Sequence, residues 1–315
     1  MNVIGIDVGG STTKIVCVSN GKMLSPMQVK ATDPLTSVYG AFGKYLSEEG
    51  LTLEDIDRIK VTGVGSTYIR DGLYGIPTDK VNEFTSIGLG GLKMSGLDHA
   101  IIVSMGTGTA FVEAGNGINR HMGGTGVGGG TLLGLGSKLL DVRNYDSIVE
   151  MSLKGDLDNV DLYVGDLSKT EDGYMPSKVT AANFGKVTDF STKEDIAAGL
   201  VNMVFQTVGM MSVFAAQTVG LKDIVLIGNL SKVPNIRELF RQVEDLHGVR
   251  FHVPEFAEYA TALGAALSDR QIFPIGNKYI KQRRGQNDRA AETLFGCSYC
   301  LPSYSLMKSR IFLSP

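Results

Sequence analysis

The chain has 315 residues, a length that suggests two domains, and its net charge of −3 excludes a nucleic-acid surface that depends on bulk positive charge. Apolar residues make up 43% of the sequence, which is enough for a core and excludes bulk disorder. No long uncharged apolar run predicts a membrane span, and the start lacks the basic region of a signal peptide. Three cysteines do not make a disulfide framework, which fits a reducing cytoplasm. From these features together we expect a cytoplasmic protein that binds neither nucleic acid nor a membrane.

The first 96 residues alternate between strand and helix patterns. Gly9 and Gly10 indicate a tight turn between two apolar strands, which predicts a β-hairpin. Apolar residues four positions apart then predict a helix, and a second helical stretch contains three glycines that we expect to interrupt it. In chain order, the predicted segments are strands at 3–7 and 14–18, a helix at 38–49, a strand at 59–64 and a helix at 82–94.

The same order of strand, glycine turn, strand and helix then appears a second time. Residues 154–190 are polar and irregular, which indicates an insertion or a small cap. The predicted segments are strands at 100–105, 109–114 and 118–122, helices at 132–140 and 193–219, a strand at 224–228, a helix at 235–246, a strand at 249–253 and a helix at 258–267. The repeat predicts a duplicated α/β architecture with boundaries near residues 96 and 274.

Residues 275–315 differ in composition from the rest of the chain. From residue 276 onward, seven basic and two acidic residues give a charge of +5, and no helical or strand period is present. We expect an atypical basic tail that is disordered or non-native, with a segment that binds an anionic surface as the alternative. Cys297 and Cys300 have CxxC spacing, but one pair supplies only two of the four ligands of a structural zinc site.

Three glycine-rich segments have the composition of phosphate-binding turns. In residues 7–14, Asp7 ends a strand and can hold a hydrated Mg²⁺, and the two glycines let backbone amides approach a phosphate. Residues 104–109 repeat this layout, and two such turns can grip a polyphosphate from both sides. Residues 123–130 contain six glycines before a helix, where a phosphate can bind the helix N-terminus. The alternatives are an ordinary hairpin turn and a flexible linker.

Single residues outside these turns give weaker signals. Glu83 opens a helix and can take a proton from a substrate hydroxyl, or it is simply an acid favoured by the helix dipole. Arg120 precedes the glycine run, where a guanidinium suits a carboxylate or a phosphate. Ser231 follows an apolar strand at 223–227 and can donate a hydrogen bond. The four histidines lack metal-ligand spacing and are interpreted as surface or structural residues.

Residues 4–14, 102–109 and 120–136 resemble type II pantothenate kinases, within the superfamily of actin, hexokinase and Hsp70. Residues 159–162 and 182–186 also match, and the resemblance covers about residues 1–272. It implies an α/β fold of two ribonuclease H-like (actin-like ATPase) lobes, 1–96 and 97–274, with a nucleotide cleft between them.

The resemblance also implies a reaction, namely the ATP-dependent phosphorylation of pantothenate to 4′-phosphopantothenate in coenzyme A biosynthesis, with Mg²⁺ as cofactor. It places the catalytic acid–base at Glu83, a substrate-binding arginine at Arg120 and the metal at Asp7. The implied ATP-binding residues are Gly5, Ile6, Asp7, Val8, Gly9, Gly10, Ser11, Thr12, Lys14, Thr107, Gly108, Thr109, Gly126, Val127, Gly128, Gly129, Gly130 and Ser231. Homodimers are usual in the family, so we expect one here through the helix at 193–219, with coenzyme A or an acyl-CoA as a feedback ligand.

Three alternatives stay open at this point. A kinase of the same fold, such as an N-acetylhexosamine kinase, would keep the ATP site and change the acceptor pocket. An ATP-driven activator of 2-hydroxyacyl-CoA dehydratases would need cysteines near the lobe boundary, where only Cys17 lies in the body of the chain. A catalytically silent regulator would have no need of both Glu83 and Arg120.

Overall fold

The computed structural model describes residues 1–30, 33–69, 72–167 and 176–268, which form two mixed β-sheets, a small two-stranded antiparallel sheet and the helices that pack around them. The strands are β1 (Asn2–Val8), β2 (Thr12–Ser19), β3 (Lys22–Met23), β4 (Met27–Lys30), β5 (Arg58–Thr62), β6 (Thr78–Lys80), β7 (His99–Met105), β8 (Thr109–Gly115), β9 (Ile118–Thr125), β10 (Leu162–Tyr163), β11 (Thr180–Ala182), β12 (Asp223–Ile227) and β13 (Arg250–His252). The helices are α1 (Pro34–Glu49), α2 (Glu83–Ser95), α3 (Gly129–Leu139), α4 (Tyr145–Ser152), α5 (Val164–Leu167), α6 (Lys193–Thr218), α7 (Ile236–His247) and α8 (Ala260–Leu267). Cys297, Cys300 and the whole of the expected tail, 275–315, lie outside the described residues.

The first sheet has the strand order β3-β2-β1-β5-β6, with β4 paired to β2. Strands β1 and β2 form the antiparallel hairpin predicted around Gly9 and Gly10, and β5 lies parallel to β1 on its other side. Helix α1 covers one face of this sheet, where buried aliphatic and aromatic side chains form a core. The carboxyl ends of β1 and β5 therefore lie side by side, which is where parallel sheets commonly place ligands.

The second sheet has the order β13-β12-β7-β8-β9 and repeats the arrangement of hairpin and parallel strands. Strands β7 and β8 are antiparallel, and β12 lies parallel to β7. Helices α3, α4, α6 and α7 cover one face and enclose the larger core. Helix α6 is long and apolar enough to span a membrane, but 67% of its most apolar stretch is buried inside the protein. Its place in this core explains its composition.

Helices α2 and α8 cross between the two sheets in close backbone contact. A Cβ added to Gly90 would overlap the carbonyl of Ala260, and one added to Gly264 would overlap the carbonyl of Ser86. Gly90 thus permits the crossing, and the other two glycines of α2 lie against the second sheet. The helix is continuous, so the predicted interruption is wrong. The reason is that α8 or the sheet occupies the space that side chains at these positions would need.

The two crossing helices cover sheets from opposite parts of the chain. Ile87 of α2 lies in a core with Ile102 of the second sheet, whereas Leu263 of α8 lies in a core with Val3 of the first sheet. A Cβ added to Gly5 of β1 would overlap α8. The boundary at residue 96 therefore separates α2 from the sheet that it covers, and the division into 1–96 and 97–274 stays a prediction.

Candidate active site

Asp7 ends β1 at the mouth of the first turn and is almost completely buried. Its carboxylate lies 3.8 Å from the ammonium of Lys14, which is also buried. Burial raises the pKa of Asp7, and the positive charge of Lys14 acts against this rise. Gly63, with φ +84°, lies against the Asp7 carboxylate, where a Cβ would come within 2.6 Å of Oδ1. The buried Lys14 ammonium thus points toward Asp7 and away from solvent, which its implied role in ATP binding requires.

The remaining residues of the first turn fall into two groups. The Gly9 amide donates to the Thr12 carbonyl at 3.0 Å, so the turn is tight and leaves Gly10 and Ser11 exposed at its tip. In contrast, Gly5 faces α8, and the side chains of Ile6 and Val8 are buried in the core under α1. Gly5, Ile6 and Val8 thus pack β1 against its neighbours, and of these residues only the backbone is available to a nucleotide.

The second glycine turn faces the first across the cleft. A Cβ built on Gly10 would lie 3.7 Å from Thr107 Oγ1, so no other side chain separates the two turns. The Gly106 amide donates to the Gly108 carbonyl at 2.8 Å and closes the second turn. Nearby, the Asn229 side-chain amide donates to Thr12 Oγ1 at 3.2 Å. The two glycine turns therefore face each other as predicted, and their binding of phosphate stays a prediction.

The glycine run 126–130 supports the second turn from behind and begins α3. The amides of Gly129 and Gly130 donate to the carbonyls of Gly106 and Thr107 at 2.9 and 2.8 Å. Thr109 Oγ1 donates to the Val127 carbonyl at 2.8 Å. Two of the amides expected to bind a phosphate at the helix N-terminus are thus used to hold the Thr107 turn.

The carboxyl ends of β12 and β5 supply further polar groups. Ser231 is buried and donates its hydroxyl to the Gly228 carbonyl at 2.7 Å, so it stabilises its own turn. Sequence reasoning missed Asn229 and also Thr62, which pairs with Asp7 across β1 and β5. Thr62 is fully buried, and its Oγ1 has no hydrogen-bond partner among the described residues. Its place at the end of the strand next to β1 is the signal that would have found it.

Glu83 is the first residue of α2, and its electrostatic environment connects it to the first turn. Asn82 caps the helix by accepting from the amides of Phe84 and Thr85 at 3.0 and 3.2 Å. Burial raises the pKa of Glu83 to about 7, the negative charge of Asp7 adds to the rise, and Lys14 opposes it. A carboxylate with this pKa can accept a proton from an alcohol near neutral pH.

Arg120 lies on the face of the second sheet that is turned away from α2. It pairs across the strands with Glu113, which in turn pairs with Ile101 of the larger core. An ion pair at 2.6 Å joins Arg120 to the Glu113 carboxylate, which also bonds to His99 at 3.2 Å. The structure therefore does not bring Arg120 together with Glu83, and its role in substrate binding stays a prediction.

His121 lies on the opposite face of β9, toward α2. It pairs with Val112, which belongs to the core under α2, and its ring stacks on Phe84 with centroids 3.8 Å apart and planes inclined by 13°. Burial lowers the pKa of His121, while a hydrogen bond to the Gly123 backbone acts against this. The ring that contacts His121 thus belongs to the residue directly after Glu83. The sequence had led us to interpret this histidine as a surface or structural residue.

Known proteins are similar in sequence to most of this chain. The Fumble family matches residues 99–242. The type II pantothenate kinase of Staphylococcus aureus (strain USA300) is 31% identical over 280 residues, which cover 85% of this chain and 99% of that protein. The chain belongs to the type II pantothenate kinase family. The type II pantothenate kinase of Oceanobacillus iheyensis is 29% identical over 284 residues and is matched along its whole length.

Solved structures of other activities share the fold. The activator of 2-hydroxyisocaproyl-CoA dehydratase from Clostridium difficile, with bound ADPNP, has a TM-score of 0.60 at 18% identity and covers 84% of this chain and 93% of that one. A ROK family glucokinase from Streptomyces griseus, in complex with glucose and AMPPNP, has a TM-score of 0.56 at 14% identity and covers 84% of this chain and 98% of that one. The predicted α/β fold with two actin-like ATPase lobes is confirmed.

Proposed function

We propose that the protein transfers the γ-phosphoryl group of ATP to the terminal hydroxyl of pantothenate and produces 4′-phosphopantothenate, the first step of coenzyme A biosynthesis. The observation that carries the proposal is the position of Glu83, whose pKa of about 7 reflects burial and the charge of Asp7 at the first turn. Type II pantothenate kinases that match this chain along almost their whole length support pantothenate as the acceptor.

The chain's own residues account for most of the chemistry. Glu83 aligns the acceptor hydroxyl and accepts its proton as the oxygen attacks phosphorus. Amides and hydroxyls of the facing turns at Gly10 and Thr107 bind the phosphate oxygens, and Lys14 adds a positive charge. Phosphoryl transfer depends mainly on positioning and on stabilisation of the developing charge, so these groups suffice in kind for the reaction.

The site also fits Mg²⁺. Asp7 is a buried carboxylate at a strand end, and the described residues hold no cluster of three acidic, histidine or cysteine side chains. Mg²⁺ usually binds through one or two carboxylates, waters and substrate phosphates, so a single Asp7 beside the phosphate turns is an adequate donor set. When bound, the ion neutralises charge on the β- and γ-phosphates.

Finer features of this function are also proposals. We propose a cytoplasmic homodimer in which an exposed side of α6, including Phe214, meets its copy, with coenzyme A or an acyl-CoA as feedback ligand and with neither nucleic acid nor a membrane as partner. Phe214 is 59% exposed on a helix whose other faces are largely buried. Sedimentation with and without a Phe214→Glu substitution tests the interface, since a charge in an apolar contact shifts the equilibrium to monomer.

The rival functions have less support from the described residues. Cys17 is buried, and burial raises the pKa of its thiol to about 11, so it is a poor ligand for a metal cluster of the kind a dehydratase activator needs. A sugar kinase would keep the same ATP turns, so only its choice of acceptor separates it from the proposed enzyme.

A coupled ADP-release assay with Mg-ATP distinguishes these functions. We expect release to depend on pantothenate and not on N-acetylglucosamine or glucose. Glu83→Gln should abolish turnover and keep ATP binding, whereas Glu150→Gln, on the exposed side of α4, should leave both unchanged. Release that appears only with a sugar would refute the acceptor, and equal turnover of the Glu83 variant would refute the assigned base.

A further inference from the structure

Strand β9 passes beside α2, and the ring of His121 stacks on Phe84 in the first turn of that helix. Phe84, which carries the stacked ring, directly follows Glu83, and the cap by Asn82 fixes the backbone of this turn. We propose that His121, and not Arg120, is the side chain of β9 that binds the phosphoryl acceptor. This inference rests on the proposed function, because it assigns an acceptor contact to the same site.

The register of β9 separates the two side chains. Arg120 pairs with Glu113, His121 pairs with Val112, and Gly123 pairs with Phe111, so Met122 is an extra residue in a β-bulge. Neighbouring side chains of a strand point to opposite faces, and a slip by one residue would exchange every face. The bulge and the tight hairpin at the start of β9 fix the register, so His121 stays on the side of Glu83.

Arg120 is also held in place by its partners. The Glu113 carboxylate is 6% exposed and accepts from Arg120 at 2.6 Å. If Arg120 turned toward the acceptor, this buried carboxylate would lose its close cation and keep only His99, at 3.2 Å. The Arg120 side chain is half-exposed, and its contact with the buried Glu113 carboxylate places its guanidinium on the far face of the sheet.

His121 has the properties of a contact residue for a neutral polar group. The Phe84 stack covers one face of the imidazole, and the bond to the Gly123 backbone orients its edge. The residue as a whole is exposed, so part of it is accessible to a ligand. An imidazole can donate or accept a hydrogen bond, which suits the hydroxyl and amide groups of pantothenate.

The matched test compares His121→Phe, which keeps a ring for the Phe84 stack and removes both nitrogens, with His99→Gln on the other face of the sheet. We expect His121→Phe to raise KM for pantothenate about tenfold, the loss typical of one hydrogen bond, and to leave KM for ATP unchanged. His121→Gln, which retains polar atoms, should lie between wild type and His121→Phe. His99→Gln should leave KM for pantothenate unchanged.

A direct measurement does not depend on the variants. In the wild-type protein with Mg-ADP, addition of pantothenate should shift the NMR signals of the His121 ring and leave those of His99 in place. Any of three results would overturn the inference. The His121 signals would stay unshifted, both KM values would rise equally in His121→Phe, or KM for pantothenate would rise in Arg120→Gln alone. If wild-type ADP release depends on pantothenate and His121→Phe behaves like wild type, the proposed function stands and only this inference fails. If wild type releases no ADP in response to pantothenate, the proposed function itself fails.

Discussion

Replacement of the proposed catalytic carboxyl, Glu83→Gln, should inactivate the enzyme and at the same time stabilise its fold at neutral and alkaline pH. The structure gives the reason, since burial and the charge of Asp7 raise the pKa of Glu83 from the ordinary 4.5 to about 7. The neutral acid is therefore favoured in the folded state, and ionisation opposes folding. A glutamine has nearly the same shape and carries no charge at any pH.

The magnitude follows from the change in pKa. Each tenfold change in an acid constant is worth about 1.4 kcal/mol, so a rise from 4.5 to about 7 corresponds to about 3 kcal/mol. Glu83 is partly exposed, and solvent screening reduces this to roughly half, about 1.5 kcal/mol. Below the unfolded pKa the carboxyl is neutral in both states and the penalty is absent. It grows as the pH rises from about 4.5 to about 7 and is constant above that range.

Thermal unfolding of the nucleotide-free protein at pH 5 and pH 8 measures this effect. At pH 8, Glu83→Gln should unfold about 3–6 °C above wild type, since 1 kcal/mol shifts the midpoint by about 2–4 °C in a domain of this size. At pH 5 most of the difference should disappear. Glu150→Gln on α4 is the matched control and should show no pH-dependent gain. A variant that is no more stable than wild type at pH 8, or equally stabilised at both pH values, would refute the described environment of Glu83.

Three further predictions test the site and the helix crossing. The value of kcat/KM for pantothenate should fall about tenfold for each pH unit below about 7 as Glu83 is protonated, and a flat pH–rate profile would count against this base. Gly128→Ala should raise KM for ATP at least about tenfold, because its Cβ would lie 2.8 Å from the Thr107 carbonyl and displace that turn; Gly126→Ala, with open space around it, should not. Gly90→Ala should lower stability by about 2 kcal/mol through overlap with α8, whereas Gly40→Ala in α1 should raise it by about 0.5–1 kcal/mol, as denaturant titration will decide.

Most of the fold could be predicted because its apolar strands and amphipathic helices are regular. Every strand and helix assigned from sequence is present with shifts of a few residues at the ends, and Asn116 and Gly117 adopt the positive φ angles of the predicted hairpin. The short strands β3, β4, β6, β10 and β11 and the helices α4 and α5 were missed. Two-to-four-residue strands and a helix of eight residues have too few periods to stand out from a loop.

The turns of the site could be predicted from the sequence, but the face of the sheet on which each side chain of β9 lies could not. Glycine and hydroxyl residues at strand ends indicated the facing turns at Gly10 and Thr107, because these residue types are required locally. The side of β9 on which Arg120 lies depends on pairing with β8 and on a one-residue bulge, and no local pattern encodes either. The use of the Gly129 amide to hold the Thr107 turn likewise depends on a contact between segments distant in sequence.

The exchange of covering helices between the sheets has a consequence for how the chain is made. The first sheet is complete once β6 has left the ribosome, yet the face that carries Gly5 is covered only by α8, which ends at Leu267. During synthesis at about 5–20 residues per second, that apolar face remains uncovered for roughly ten seconds or more before α8 has been made. Among the described residues, the last helix to be synthesised therefore completes the sheet that is synthesised first, and a nascent chain stopped before residue 260 would expose an apolar surface of the kind that chaperones recognise.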